Sequence, residues 1–528
     1  SPTWGAAGYD DLAGPLRAIA VQAEQGIAPA GSHDLLVVVR FKSSMAAAAT
    51  NLAAHGATAR FRSGDAVEAI VPADRLLEIA QLPEVALVAP AEYMEPCQGF
   101  GATLSEGVRL VGAVPFHTAG ITGQGVTVAV IDVGFAGIAD AEVPIDDADA
   151  DSLVTFRADG TMGSSFHGTA VAEVVADMAP GAEFVVIAVD TAMAAENAAD
   201  YIANRDIDVV AMALELLGGP YDGSHSLSRT VNSLRNQGVF WVNAAGNSAQ
   251  RHWMGDFADR NGNGLHEFSS GDETIDLTLP AGEYRAFLSW YETAGNLTAR
   301  DYDLVLVDGT GAEVARSGYT QNGDDPPADA LNAQIATAGN YGLRIQRISA
   351  PGTTVDRFQL FSVGADLETS HQMPASSLAI PADATGAYTV GATRGVATDV
   401  PPLPLQPVDT LEPFSSQGPV VGQPGVVKPD LVAPDAVSTS LTDEGLSPFI
   451  GTSVAAAHVA GAAALLLSED RLRTPDEIEG VLRAQAVQIS QPVPNNQTGW
   501  GRLNLRVGAD SRRPTITISY PENGTTIT

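Results

Sequence analysis

The chain has 528 residues, a formal net charge of −35 and 45% hydrophobic residues. At roughly 100–200 residues per domain, that length predicts three or more units rather than one core. Lys42 and Lys428 are the only lysines. A strongly acidic chain without basic clusters excludes nucleic acid and an anionic membrane as expected partners; the acidity reads as solubility or adaptation to salt.

Residues 1–33 form an Ala/Gly-rich lead-in. From Asp34 the pattern sharpens into a strand at 35–41, an alanine-rich helix at 45–55 ended by Gly56, two strands within 57–71 around Ser63-Gly64-Asp65, a helix at 73–81 closed by Pro83, and a strand at 85–88. The order βαββαβ over residues 34–97 predicts a ferredoxin-like α+β unit. Cys97 is the single cysteine, which excludes an intrachain disulfide. Between 126 and 247 apolar strand patterns alternate with helical ones, which implies a mostly parallel α/β sheet. After Asn247 that pattern breaks. Short β-rich runs separated by Gly, Asn, Asp and Pro turns fill 251–371, the signature of a β-sandwich. The α/β pattern resumes at 372 and runs to about 510, with a late helix at 474–486. Residues 511–528 read as a linker or the start of a further β-domain. The longest apolar run, 454–467, falls short of the ~20 residues that span a bilayer, and it carries His458, so it predicts a core helix. The chain begins at Ser1 without a signal peptide, and one is expected to have been removed.

Four short stretches carry the chemistry. Residues 126–132 (VTVAVID) end a buried strand on Asp132. His167-Gly168-Thr169 opens a small-residue helix. Residues 239–247 (VFWVNAAGN) end another strand on Gly246-Asn247. Gly451-Thr452-Ser453 leads into the long apolar helix. A serine in a helix's first turn sits beside unpaired N–H groups and the positive end of the helix dipole, which favour negative charge. Its hydroxyl needs a base, an orienter for that base and oxyanion donors. Taken singly, Ser453 is a helix cap, Asp132 a cap for the next helix, and Asn247 a turn residue.

In the order Asp, His, Asn, Ser, each in this local context, the chain resembles the subtilisin-like serine proteases (subtilases) over most of 104–250 and 372–506. That resemblance implies a catalytic triad of Asp132, His167 and Ser453, with Asn247 as oxyanion donor. It implies substrate-binding edges at Ala213, Leu214, Glu215 and at Ala244, Ala245, Gly246. It makes the N-terminal unit a propeptide, with the processing junction within 95–106, and the protein a secreted zymogen acting on proteins or peptides. The inserted sandwich resembles prepeptidase-like domains and is expected to shape substrate access or bind protein or glycan.

The chain departs from the usual family pattern. Val133 stands where the family has Thr, Ala170 where it has His, Val454 and Ala457 where it has Met and Pro, and Glu215 where a Gly lines the cleft. Two other readings stay open: a catalytically silent binding scaffold, and a peptide ligase using the same acyl-enzyme. No cofactor is expected for the chemistry. Calcium is a candidate structural ion at Asp259, Asn261, Asn263 and Glu267, whose alternate oxygens and central Gly264 suit it, although Ser270 replaces the expected bidentate acid. The acidic run 146–151 is a second candidate. His33, His55, His225, His371 and His458 read as structural.

Overall fold

The computed structural model describes residues 35–42, 52–63, 66–90, 105–139, 141, 143–145, 152–291, 298–317, 321, 327–350, 356–395, 407–442 and 444–506. The lead-in, most of the helix expected at 45–55, Cys97, most of the processing stretch, the acidic run 146–151 and the C-terminal segment lie outside those residues. The chain divides into two compact units after residue 98.

In the first unit, strands β1 (Leu35–Phe41), β2 (Thr58–Ser63), β3 (Ala66–Val71) and β4 (Val85–Pro90) form an antiparallel sheet in the order β2-β3-β1-β4. Helix α1 (Leu76–Ala80) lies between β3 and β4 in sequence. Placing β1 and β3 centrally is the ferredoxin-like arrangement. Val37 and Val39 of β1, Val67 and Val71 of β3, Leu76 and Ile79 of α1 and Leu52 make one buried cluster.

The second unit begins with two short helices, α2 (Glu106–Leu110) and α3 (Val114–Thr118). It is built on a seven-stranded parallel sheet ordered β19-β18-β9-β8-β5-β7-β6. The strands are β5 (Thr127–Asp132), β6 (Leu153–Thr155), β7 (Glu183–Ala188), β8 (Val209–Met212), β9 (Phe240–Ala244), β18 (Tyr388–Arg394) and β19 (Leu431–Asp435). Residues of β5, β8, β9, β18 and β19 are buried almost throughout, as a sheet covered on both faces requires.

One face is covered by α4 (His167–Met178) and α7 (Thr452–Glu469), the other by α5 (Ala192–Ala203) and α6 (Ser226–Asn236); α8 (Pro475–Gln485) follows α7. Among the described residues, α7 is the one helix long and apolar enough to cross a membrane, and 89% of its apolar window is buried inside the fold. It is a core helix. The sequence had suggested neither α2, α3 nor the three-residue edge strand β6; each is too short for its periodicity to register.

Between β9 and β18 the chain builds two four-stranded antiparallel sheets. Strands β10 (His252–Asp256), β17 (Arg357–Val363), β12 (Gly282–Tyr291) and β15 (Ala328–Ile335) form one. Strands β11 (Ile275–Leu279), β16 (Gly339–Ser349), β13 (Asp301–Asp308) and β14 (Glu313–Arg316) form the other. Alternation along β11 buries Ile275, Leu277 and Leu279 and exposes Asp276 and Thr278. Trp290, Tyr302, Leu304, Leu343, Ile345 and Phe358 fill the space between the sheets. The sandwich also contacts the α/β layer. Phe361 of β17 belongs to the buried cluster beneath α5 and α6, with its ring 4.8 Å from that of Tyr221 and 4.7 Å from that of His252.

Candidate active site

Parallel strands deliver the ends of β5, β8 and β9 to one edge of the sheet, where an α/β fold gathers ligands. Asp132 ends β5 and is fully buried. Its Oδ1 accepts the N–H of Val133 at 2.8 Å, and its Oδ2 accepts from Nδ1 of His167, the first residue of α4, at 2.8 Å. That bond fixes the tautomer with its proton on Nδ1. The lone pair of Nε2 then faces Ser453 Oγ, 3.1 Å away. Burial alone would pull the His167 imidazole down, but the charge and hydrogen bond of Asp132 outweigh it and hold it above its ordinary value. Phe449 sets its ring edge-on to the imidazole at 5.5 Å and restricts how it can turn.

Ser453 lies in the first turn of α7. Its hydroxyl is also 3.3 Å from the carbonyl of Ala213. Gly451 caps the helix at φ +133°, a region that favours glycine. The side-chain oxygen of Asn247 accepts both the N–H and the hydroxyl of Thr452 at 3.0 Å, and Thr452 Oγ1 in turn accepts the N–H of Gly246 at 3.1 Å. With its oxygen tied, Asn247 directs Nδ2 over Gly451, where a β-carbon would approach to 3.2 Å. That amide and the backbone N–H of Ser453 supply two donors beside the hydroxyl.

The structure thus brings together Asp132, His167, Ser453 and Asn247, which are separated by up to 321 positions in the chain. It also places Ala213–Leu214–Glu215 beside Ala244–Ala245–Gly246, because β8 and β9 pair in register up to Met212 and Asn243. His458 turns the other way. Its Nδ1 donates to Val454 O at 2.9 Å and its Nε2 accepts from Ser105 at 2.9 Å, while Ser105 N donates to Asp177 at 2.7 Å.

A family model described as the subtilase family matches residues 320–501, about a third of the chain, which includes Ser453 but not the other three residues. The structure of the Clostridium perfringens CspB protease superposes with a TM-score of 0.51 at 16% identity, covering 76% of this chain and 97% of that one. The chain is subtilase-like. An extracellular serine protease of Serratia marcescens is 37% identical over 67 residues, a stretch that covers 13% of this chain and 6% of that relative.

The subtilase-like domain contains residues that sequence reasoning did not single out. Phe449 stands in a Ser/Pro/Gly loop with no periodicity to mark it. Thr452 carried a signal, its position between Gly451 and the serine, but its grip on Asn247 is a tertiary contact. Asp435, the last residue of β19, accepts the N–H of Gly451 at 3.1 Å from below the nucleophile turn. It is buried beside Glu412, which accepts from Arg394 Nε at 2.6 Å. Burial first, then the charge of Glu412, pushes the Asp435 carboxyl well above its usual range.

In the loop considered for calcium, several oxygens meet protein donors, while Asp259 Oδ1 is buried without a partner. Asp259 Oδ2 accepts from Arg347 and, at 3.2 Å, from Gly264 N; Glu267 accepts from Arg260 at 3.0 Å. Asn261 and Asn263 both donate to Glu273, and their side-chain oxygens accept from Asn263 N and Leu265 N. Among the described residues no group of three His, Cys, Asp or Glu side chains gathers as a metal site would. Arg347 and Arg260 each bond one carboxylate oxygen of the loop, and the calcium expectation stands as a proposal.

Proposed function

We propose that the protein is a serine endopeptidase that hydrolyses peptide bonds through an acyl-enzyme on Ser453, secreted and made with an N-terminal inhibitory unit. One observation carries the reading: the line Asp132–His167–Ser453, with hydrogen-bond lengths of 2.8 and 3.1 Å, ends beside the amide of Asn247. Ser453 attacks the scissile carbonyl while His167 Nε2 takes its proton. Asp132 stabilises the resulting imidazolium and keeps it oriented. The carbonyl oxygen, now negative, meets the Asn247 amide and the Ser453 N–H at the positive end of α7. The imidazolium passes its proton to the leaving amine, and water, deprotonated by the same ring, releases the acyl group.

Secretion rests on the similarity to a relative described as extracellular. The propeptide reading rests on the βαββαβ unit standing before the α/β domain and on Ser105. Ser105 is held by Asp177 and His458 of the α/β core, which favours cleavage on its N-terminal side. A second reading, a silent binding scaffold, is favoured by the Glu215 carboxylate, which reaches across the cleft towards Gly246.

The test expresses residues 1–528 beside a Ser453→Ala copy. The peptidase reading expects wild type to lose about its first hundred residues and to label with a serine-reactive fluorophosphonate, while the mutant does neither. Failure of wild type to label supports the scaffold.

A further inference from the structure

Two chain segments wall the slot that runs away from Ser453. On one side is Ala213–Leu214–Glu215, whose first carbonyl lies 3.3 Å from the nucleophile's oxygen. On the other is Ala244–Ala245–Gly246, which ends next to Asn247. Gly246 Cα is close to a charge: a β-carbon placed there would lie 2.6 Å from Glu215 Oε2, with Ser416 Oγ at 3.1 Å. The carboxylate therefore bridges the slot, one residue from the oxyanion donor and two from the carbonyl beside the nucleophile. Glu215 opens to solvent, and among the described residues it has neither a hydrogen bond nor an ion pair. The basic group that bears on it, Arg251, is itself bonded to Asp366 at 2.8 Å.

We propose that Glu215 selects substrates with a cationic side chain, arginine or lysine, on the residue that supplies the scissile carbonyl. The proposal rests on the peptidase reading for its consequence in turnover. The geometry that supports it is simple. The carbonyl must sit between Ser453 and Asn247, so the side chain of the same residue enters between the two walls. There it meets a carboxyl group without a hydrogen-bond partner, which accepts once ionised. An ammonium or guanidinium satisfies that group through charge-assisted hydrogen bonds. A carboxylate side chain is repelled, and an apolar one leaves the acid unpaired in a narrowed slot. Although the residue is exposed, the protein around its carboxyl pushes it up to about 7, with Arg251 pulling the other way. Tyr221 faces it from the same loop, and Arg251 from the segment leading to the sandwich.

The experiment uses peptides identical except for Arg, Lys, Gln, Leu or Glu at that residue, with active enzyme counted by fluorophosphonate titration. We expect kcat/KM for Arg or Lys to exceed that for Gln by about 10- to 100-fold, and Glu215→Gln to erase that ratio. No basic preference in wild type, or one that survives Glu215→Gln, overturns the proposal. A second arm needs no turnover. Benzamidine, compared with neutral benzamide, is titrated into Ser453→Ala and into the double variant Ser453→Ala/Glu215→Gln. Binding of benzamidine that weakens at least about tenfold without the carboxylate supports a cation-selective slot. Absence of such binding overturns it. Benzamidine binding without any peptide cleavage leaves the selective slot standing while the peptidase reading falls.

Discussion

At the scale of single residues, the site works by fixing what each polar atom is free to do. Asp132 spends one oxygen on backbone and one on His167, so the imidazole has one tautomer and one direction. Thr452 takes the oxygen of Asn247, so the amide nitrogen is left to lie over Gly451, two residues before Ser453. On the proposed mechanism, replacing Asn247 by Ala removes one of two oxyanion donors, and kcat should fall about 10²–10³-fold, with KM little altered, in steady-state kinetics on a peptide. In the proposed mechanism His167 must be neutral to act as base. Because Asp132 holds its pKa above the ordinary imidazole value, activity on acidification should fall at higher pH than a free histidine would dictate. Asp132→Asn removes that support, so the acid limb of kcat/KM should move to lower pH as activity drops. An unmoved limb would assign it to another group.

At the scale of elements, α7 is the part that everything else registers against. Its small residues let α4 approach so closely that a β-carbon on Gly461 would lie 2.3 Å from Met178 Cβ. The turn before it is held from beneath by Asp435 at the end of β19. Asp435→Ala would leave the buried Gly451 N–H without its acceptor and should cost about 1–3 kcal/mol, read from denaturant midpoints. Asp435→Asn keeps an acceptor and should be far milder. The pH dependence separates the two roles. The folded-state pKa of Asp435 is raised, so its favourable contribution is complete below the unfolded value and is lost as pH rises through the folded one. The Asn variant carries no such ionisation, and its stability relative to wild type should rise with pH.

At the scale of the whole second unit, the sandwich is more than an appendage. Phe361 of β17 is wholly buried in the cluster that lies against the parallel sheet, touching Tyr221 just beyond the cleft segment. Gly218 packs so that a β-carbon would meet the Phe287 ring at 3.1 Å. If the sandwich served only substrate access, removing about residues 252–370 would change large-protein cleavage more than small-peptide cleavage. The packing argues otherwise: that deletion strips the core of a large aromatic side chain and uncovers the loop that carries Glu215. Both protein and peptide cleavage should fall. Phe361→Ala alone should destabilise the unit by about 3–5 kcal/mol, seen as an earlier denaturant midpoint. A deletion variant that keeps full peptide turnover would show that the insert is a separate module.

Much of this was legible in one dimension because its causes are local. Strand runs such as 126–132, the helix opened by His167, the apolar length of α7 and the alternation along β11 follow from periodicity and caps within a few residues. The candidate site residues Asp132, His167, Asn247 and Ser453 could be named because their short motifs, in that order along the chain, resemble those of the subtilases. What the linear chain did not contain was distance. Neither the hold of Thr452 on Asn247, nor Phe449 against His167, nor Asp435 under Gly451 leaves a local pattern, since each joins elements far apart in sequence. The candidate calcium loop shows the converse. Its spacing suits a cation, and only the fold shows that Arg347 and Arg260, placed by β16 and by the turn itself, bond one oxygen of each carboxylate while Asp259 Oδ1 stays without a partner. Sequence determined the longer strands and helices, whose periodicity and caps are local, but not the short α2, α3 and β6. Tertiary structure alone decided which polar atoms meet, because a hydrogen bond depends on ångströms between elements that only packing brings together.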